Sequence, residues 1–85
     1  MVCSTMEVRI SAALGELSHN DNAIAWHITE EYRDVIFTFD NPPDTERKWK
    51  RAMDMFVFAT LFFTRTEKIE QAMNREGYTG YIDVI

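Results

Sequence analysis

Met55-Phe56-Val57-Phe58-Ala59-Thr60-Leu61-Phe62-Phe63 is the stretch on which the fold turns. As a strand, its Phe, Val and Thr would suit a pleated, buried surface. As a helix, it belongs to a segment from Asp44 to Glu76 that contains neither Gly nor Pro. The lack of turn residues on either side, with Met53, Met55, Ala59 and Leu61 inside, decides for helix. At helical spacing Trp49, Met53, Phe56, Thr60 and Phe63 form one stripe. Met55, Phe58, Phe62 and Ile69 form a second, with Val57 and Leu61 between. An amphipathic helix normally hides one stripe of roughly 100°. This one carries more apolar surface than a single sheet can cover.

Upstream, Asp40-Asn41-Pro42-Pro43-Asp44 ends whatever precedes it. Two prolines cannot extend a strand ladder, and residues before proline leave the helical region. Asp44 or Thr45 can then cap the helix. Downstream, Gly77 stands where a left-handed C-terminal cap would fall. Thr64-Arg65-Thr66-Glu67 has the spacing of a capping box, so residues 44–76 are read as one long helix or two short ones.

The remainder reads as strands. Met6, Val8, Ile10, Ala12 and Leu14 alternate with Glu7, Arg9, Ser11 and Ala13, a period of two that outweighs a helical rival capped at Ser4. Ser18 to Asn22 is a polar loop. Ile24, Trp26 and Ile28 alternate again, Glu30 to Arg33 forms a short turn, and Val35 to Phe39 is a third strand. Tyr78 to Ile85 supplies a fourth, with Gly80 at a turn or bulge. The expected fold class is α+β: a small antiparallel sheet of three to four strands packed against the 44–76 helical segment. Trp26, Ile28, Phe37, Phe39, Phe56 and Phe63 are the expected core.

The chain has 85 residues, enough for one domain spanning 1–85, with residues 1–5 as a leader if Met6 is the natural start. Its single cysteine, Cys3, can form no internal disulfide and belongs to no zinc-ligand set. Glu7 and Arg9 interrupt any signal peptide. The longest apolar run falls well short of the roughly 20 residues of a membrane span. A cytoplasmic protein without a membrane partner is expected.

The net charge of −5 is unevenly placed. Residues 1–43 carry seven acids against Arg9 and Arg33, whereas residues 44–85 carry seven of each sign. An acidic half opposes wrapping by nucleic acid. In size and charge alone the chain resembles the small acidic inhibitors that phages direct against host defence proteins.

Three features are candidate binding sites. Met55, Phe58 and Phe62, on the second helical stripe, are candidates for self-association, and a homodimer is expected. Arg47, Lys48, Trp49, Lys50 and Arg51 set four bases around an indole, a pattern that could meet phosphates and stack a base. The bland reading is a solvated helix face, with ion pairs Glu46–Lys50 and Lys50–Asp54 answering part of the charge. Glu30, Glu31, Asp34, Asp40 and Asp44 could imitate a row of phosphates or simply decorate turns. His27 falls opposite the apolar side of its strand, and His19 falls in the polar loop. No nucleophile elbow, phosphate-cradling Gly loop or metal motif is present in the sequence. The expectation is a non-enzyme without cofactor or metal: a protein-binding module that regulates or inhibits a partner. The alternative is nucleic-acid binding through the basic start of the helix.

Overall fold

The computed structural model describes residues 6–11 and 15–85, the first six by their backbone alone. The expected leader and the end of the first expected strand, residues 12–14, lie outside the described residues. The order is β1 (Met6–Ser11), β2 (Gly15–His19), β3 (Ala23–Ile28), a 3-10 turn (Thr29–Glu31), β4 (Arg33–Phe39), α1 (Glu46–Phe62), α2 (Thr66–Arg75) and β5 (Gly80–Val84). The strands form one antiparallel sheet in the order β1-β2-β3-β4-β5. The fold is α+β, as the sequence led us to expect.

β2 is a strand beyond the four read from sequence. It carries a single apolar side chain, Leu17, inside Gly-Glu-Leu-Ser-His, so no periodic signal marked it. Its end reassigns His19 from a solvated loop to the interior. His19 is 9% exposed, its Nδ1–H donates to the Asn20 carbonyl at 2.8 Å, and its ring stacks on Trp49 at 4.1 Å. The turn that does exist is shorter: Asn20 Oδ1 accepts from the Asn22 and Ala23 amides at 2.9 and 2.8 Å. Gly15 opens β2 with φ +141°, and a Cβ there would lie 1.8 Å from the His27 carbonyl oxygen. Only glycine fits that approach. Gly80 is the first residue of β5 rather than a turn or bulge, lying directly against the Thr38 carbonyl.

Alternation along the strands puts Leu17, Ile24, Trp26, Ile28, Val35, Phe37 and Phe39 on one face. α1 lies across that face and buries Trp49, Ala52, Met53, Phe56, Val57 and Ala59. Five of the six expected core residues are buried, and Phe63 is partly buried against the same cluster. A polar bridge ties the layers. The Trp26 indole N–H donates to Thr60 Oγ1 at 2.9 Å, and that hydroxyl donates to the Val57 carbonyl at 2.7 Å.

Two helices occupy residues 44–76. Thr45 caps α1, accepting from the Lys48 amide at 3.2 Å. The chain turns extended at Phe63 (φ −127°, ψ 131°). α2 starts one residue beyond the expected cap: Arg65 is its N-cap and no side chain bonds there, so Thr64 forms no capping box. α2 then returns alongside α1 and β5, inserting Ile69, Ala72 and Met73 into the core.

Candidate functional site

The helical layer carries the site. On α1, Arg47, Arg51, Asp54, Phe58, Leu61 and Phe62 recur at three- and four-residue intervals, so they share the face turned away from the sheet. Its first half is charged and its second half apolar. α2 folds back beside this face, as the bend at residues 63–65 allows, and covers part of it. Ile69, expected in the same stripe as Phe58 and Phe62, is buried instead, because the helix has ended before it.

The cover is incomplete. Phe58, Leu61 and Phe62 remain 54%, 59% and 67% exposed. The Phe58 and Phe62 rings lean on each other with centroids 4.7 Å apart. Between the helices runs a groove of about 420 Å³, floored by Met55, Ala59, Phe63 and Ala72 and walled by Phe58 and Phe62. Arg75 and Glu76 close one end and place one charge of each sign on an otherwise apolar trough. Thus the three sequence candidates Met55, Phe58 and Phe62 line one groove. Leu61, Ala72, Arg75 and Glu76 extend the site. Only Leu61 was legible as part of it, since the approach of α2 brings in the other three.

The basic cluster fares differently. Trp49 is 6% exposed, with one ring face against His19 and an edge contact to Phe39 at 5.2 Å. It cannot serve as a stacking platform, because the face a base would need is already occupied. Arg47, Lys48, Lys50 and Arg51 are exposed. The expected pairs Glu46–Lys50 and Lys50–Asp54 do not form; among the described residues the cluster's ion pair is Lys48–Asp44 at 3.2 Å. Lys48 and Arg51 border a polar cleft of about 450 Å³ with Pro42, Pro43 and Tyr78.

The acidic set is not one row. β4 separates Asp34, near its start, from Asp40, just past its end, by about 20 Å of extended chain. Asp34 bonds His27, which projects from the open face of the sheet as expected. Glu31 pairs with Arg33 at 2.5 Å and Asp44 with Lys48. Asp40 lies by the proline turn, its amide donating to the Thr79 carbonyl at 2.9 Å. Glu30 sits in the turn before β4. A phosphate-mimicking surface would need these carboxylates side by side, and Arg33 and Lys48 already neutralise two of them.

Among the described residues, no three His, Cys, Asp or Glu side chains come together as a metal site. No helix among the described residues is long and apolar enough to cross a membrane. Comparison with family models, curated proteins and solved structures gives no significant match.

Proposed function

We propose that this chain is a cytoplasmic, non-catalytic protein-binding module that regulates or inhibits a partner protein through the groove between α1 and α2. The observation that carries the reading is the exposed Phe58–Leu61–Phe62 ridge beside an apolar trough. Together the three side chains leave roughly 350 Å² of apolar surface in water, the size of a functional patch on a small monomer. At about 25 cal/mol per Å² that surface contributes roughly 9 kcal/mol on burial. Association costs about 4–15 kcal/mol, so the patch alone gives weak binding at best. The partner must therefore also meet the charges beside that surface, Arg75 and Glu76 in the lining of the groove and Asp54 one turn before Phe58 on the exposed face of α1. An amphipathic helix meets both demands, with apolar side chains at three- and four-residue spacing and charges flanking them. Met55, Phe58 and Phe62, expected from sequence to join two copies, are assigned here to that partner. The nucleic-acid alternative rests on Arg47, Lys48, Lys50 and Arg51 without their indole.

Affinity capture from the native host's lysate, compared between variants, tests the reading. The unaltered chain should retain a protein that survives nuclease and high salt. Phe58→Asp and Phe62→Asp should lose it, while the quadruple change of Arg47, Lys48, Lys50 and Arg51 to Ala should keep it. Capture that vanishes with nuclease and with the quadruple change, but survives Phe58→Asp, would transfer the function to nucleic acid.

A further inference from the structure

One edge of the sheet is regular and open. Asp34 and Ile85 exchange both backbone hydrogen bonds, at 3.4 and 2.9 Å, and the register then pairs Ile36 with Asp83 and Thr38 with Tyr81. In an antiparallel ladder successive residues turn their backbone groups to opposite sides. Tyr81, Asp83 and Ile85 therefore bond β4. The N–H and C=O groups of Gly80, Ile82 and Val84 face outward, without a partner among the described residues. The opposite edge is blunted, since the β1–β2 register breaks between Val8 and Ser11. β5 has no break, no proline and no lysine, and its Tyr81 and Val84 are 53% and 43% exposed.

We propose that β5 pairs antiparallel with β5 of a second copy of this chain, about a twofold axis through Ile82, fusing two sheets into one. The second copy is chosen because this edge is complementary to itself. In that register Ile82 faces Ile82 of the second copy, and Gly80 faces Val84 of the second copy, so every outward backbone group is bonded. The valine meets a residue with no side chain to oppose it. On the open sheet face Tyr81 lies beside Asp83 of the second copy, a hydroxyl next to a carboxylate. α2 packs on β5 and runs against it, with Glu67 in its first turn and Arg75 in its last. The twofold axis brings the two α2 helices to the same face, antiparallel. Pairing β5 with β1 of a further copy would build an open array, and the break in β1 opposes it. No residue of β5 lines the groove between α1 and α2, so the edge pairing uses none of its lining.

Sedimentation equilibrium of the full chain tests the dimer independently of any partner. The expected species is a reversible dimer of about twice the 10.0 kDa chain. Val84→Pro removes an edge N–H from both copies and should raise the dimer dissociation constant about 100-fold. Tyr81→Glu sets a carboxylate beside Asp83 of the second copy and should raise it about tenfold, whereas Tyr81→Lys should hold it within about threefold. Circular dichroism melts should show each variant folded, because both side chains are substantially exposed. A wild-type chain that stays monomeric at about 100 µM, a range that detects even weak pairing, would overturn the proposal. So would a dimer indifferent to both Val84→Pro and Tyr81→Glu, or one that Phe58→Asp dissociates in their place. Neither result bears on capture of a partner by the groove.

Discussion

Replacing Thr60 with Val tests whether the two layers are joined as described. The two side chains are nearly isosteric, so packing is preserved while the hydroxyl is lost. Trp26 is 1% exposed, and its indole N–H donates to that hydroxyl at 2.9 Å. With the acceptor gone, the donor is buried without a partner, which costs about 1–3 kcal/mol. The Val57 carbonyl loses only a second donor, since α1 continues past it, so the upper half of that range is not needed. We expect a loss of about 1–2 kcal/mol, a large share of the stability of so small a domain. Urea unfolding followed by tryptophan fluorescence should show a midpoint lower by about 1–2 M at unchanged slope. Thr60→Ser keeps the hydroxyl and should lose no more than about 1 kcal/mol, the worth of one methyl group. Equal stability of Thr60→Val and wild type would refute the bridge, and a larger loss in Thr60→Ser would show that the methyl, not the hydroxyl, matters at this position.

Three other substitutions have definite expected outcomes. Gly15→Ala combines φ +141° with a Cβ 1.8 Å from the His27 carbonyl; it should cost at least about 2 kcal/mol and shift amide resonances across the β2–β3 pairing in NMR spectra. Thr45→Ala removes the cap that the Lys48 amide uses and should cost about 1 kcal/mol in thermal unfolding. Phe62→Asp, on a ring two-thirds exposed at the C-terminal end of α1, should cost no more than about 1–2 kcal/mol and leave a cooperative melt by circular dichroism, so that lost binding in this variant reports on the surface rather than the fold.

The sequence was legible where hydrophobic period and breakers agree. Pro42 and Pro43 divided sheet from helices, the alternation at Ile24, Trp26 and Ile28 located β3, and the stripe Trp49–Met53–Phe56–Thr60 identified the inward face of α1. β2 was hidden because its inward positions hold a glycine, one leucine and a histidine. His19 is accommodated there through an aromatic stack and one backbone acceptor, neither of which has a periodic signature. Trp49 had two readings, a member of the inward α1 stripe and the centre of a basic cluster, and the stack on His19 decides for the first: its cationic neighbours belong to the exposed side of the helix, while the indole turns inward. For the groove, Met55, Phe58 and Phe62 declared themselves by excess apolar surface. Arg75 and Glu76 could not, because only the return of α2 past the bend at Phe63 sets them at its end. The acidic residues looked contiguous in sequence, yet the length of β4 separates them in space.

The central claim, that the Phe58–Phe62 groove docks a partner protein, is tested most directly by a photo-crosslinking phenylalanine derivative placed at position 62 in cells of the native host. Position 32 serves as the control, since Tyr32 is 87% exposed and lies in the turn between β3 and β4, away from the helical layer. The expected result is one discrete protein adduct, formed at position 62, absent at position 32 and unchanged by nuclease. Adducts that match those at position 32, that join only copies of this chain, or that disappear with nuclease would contradict the claim.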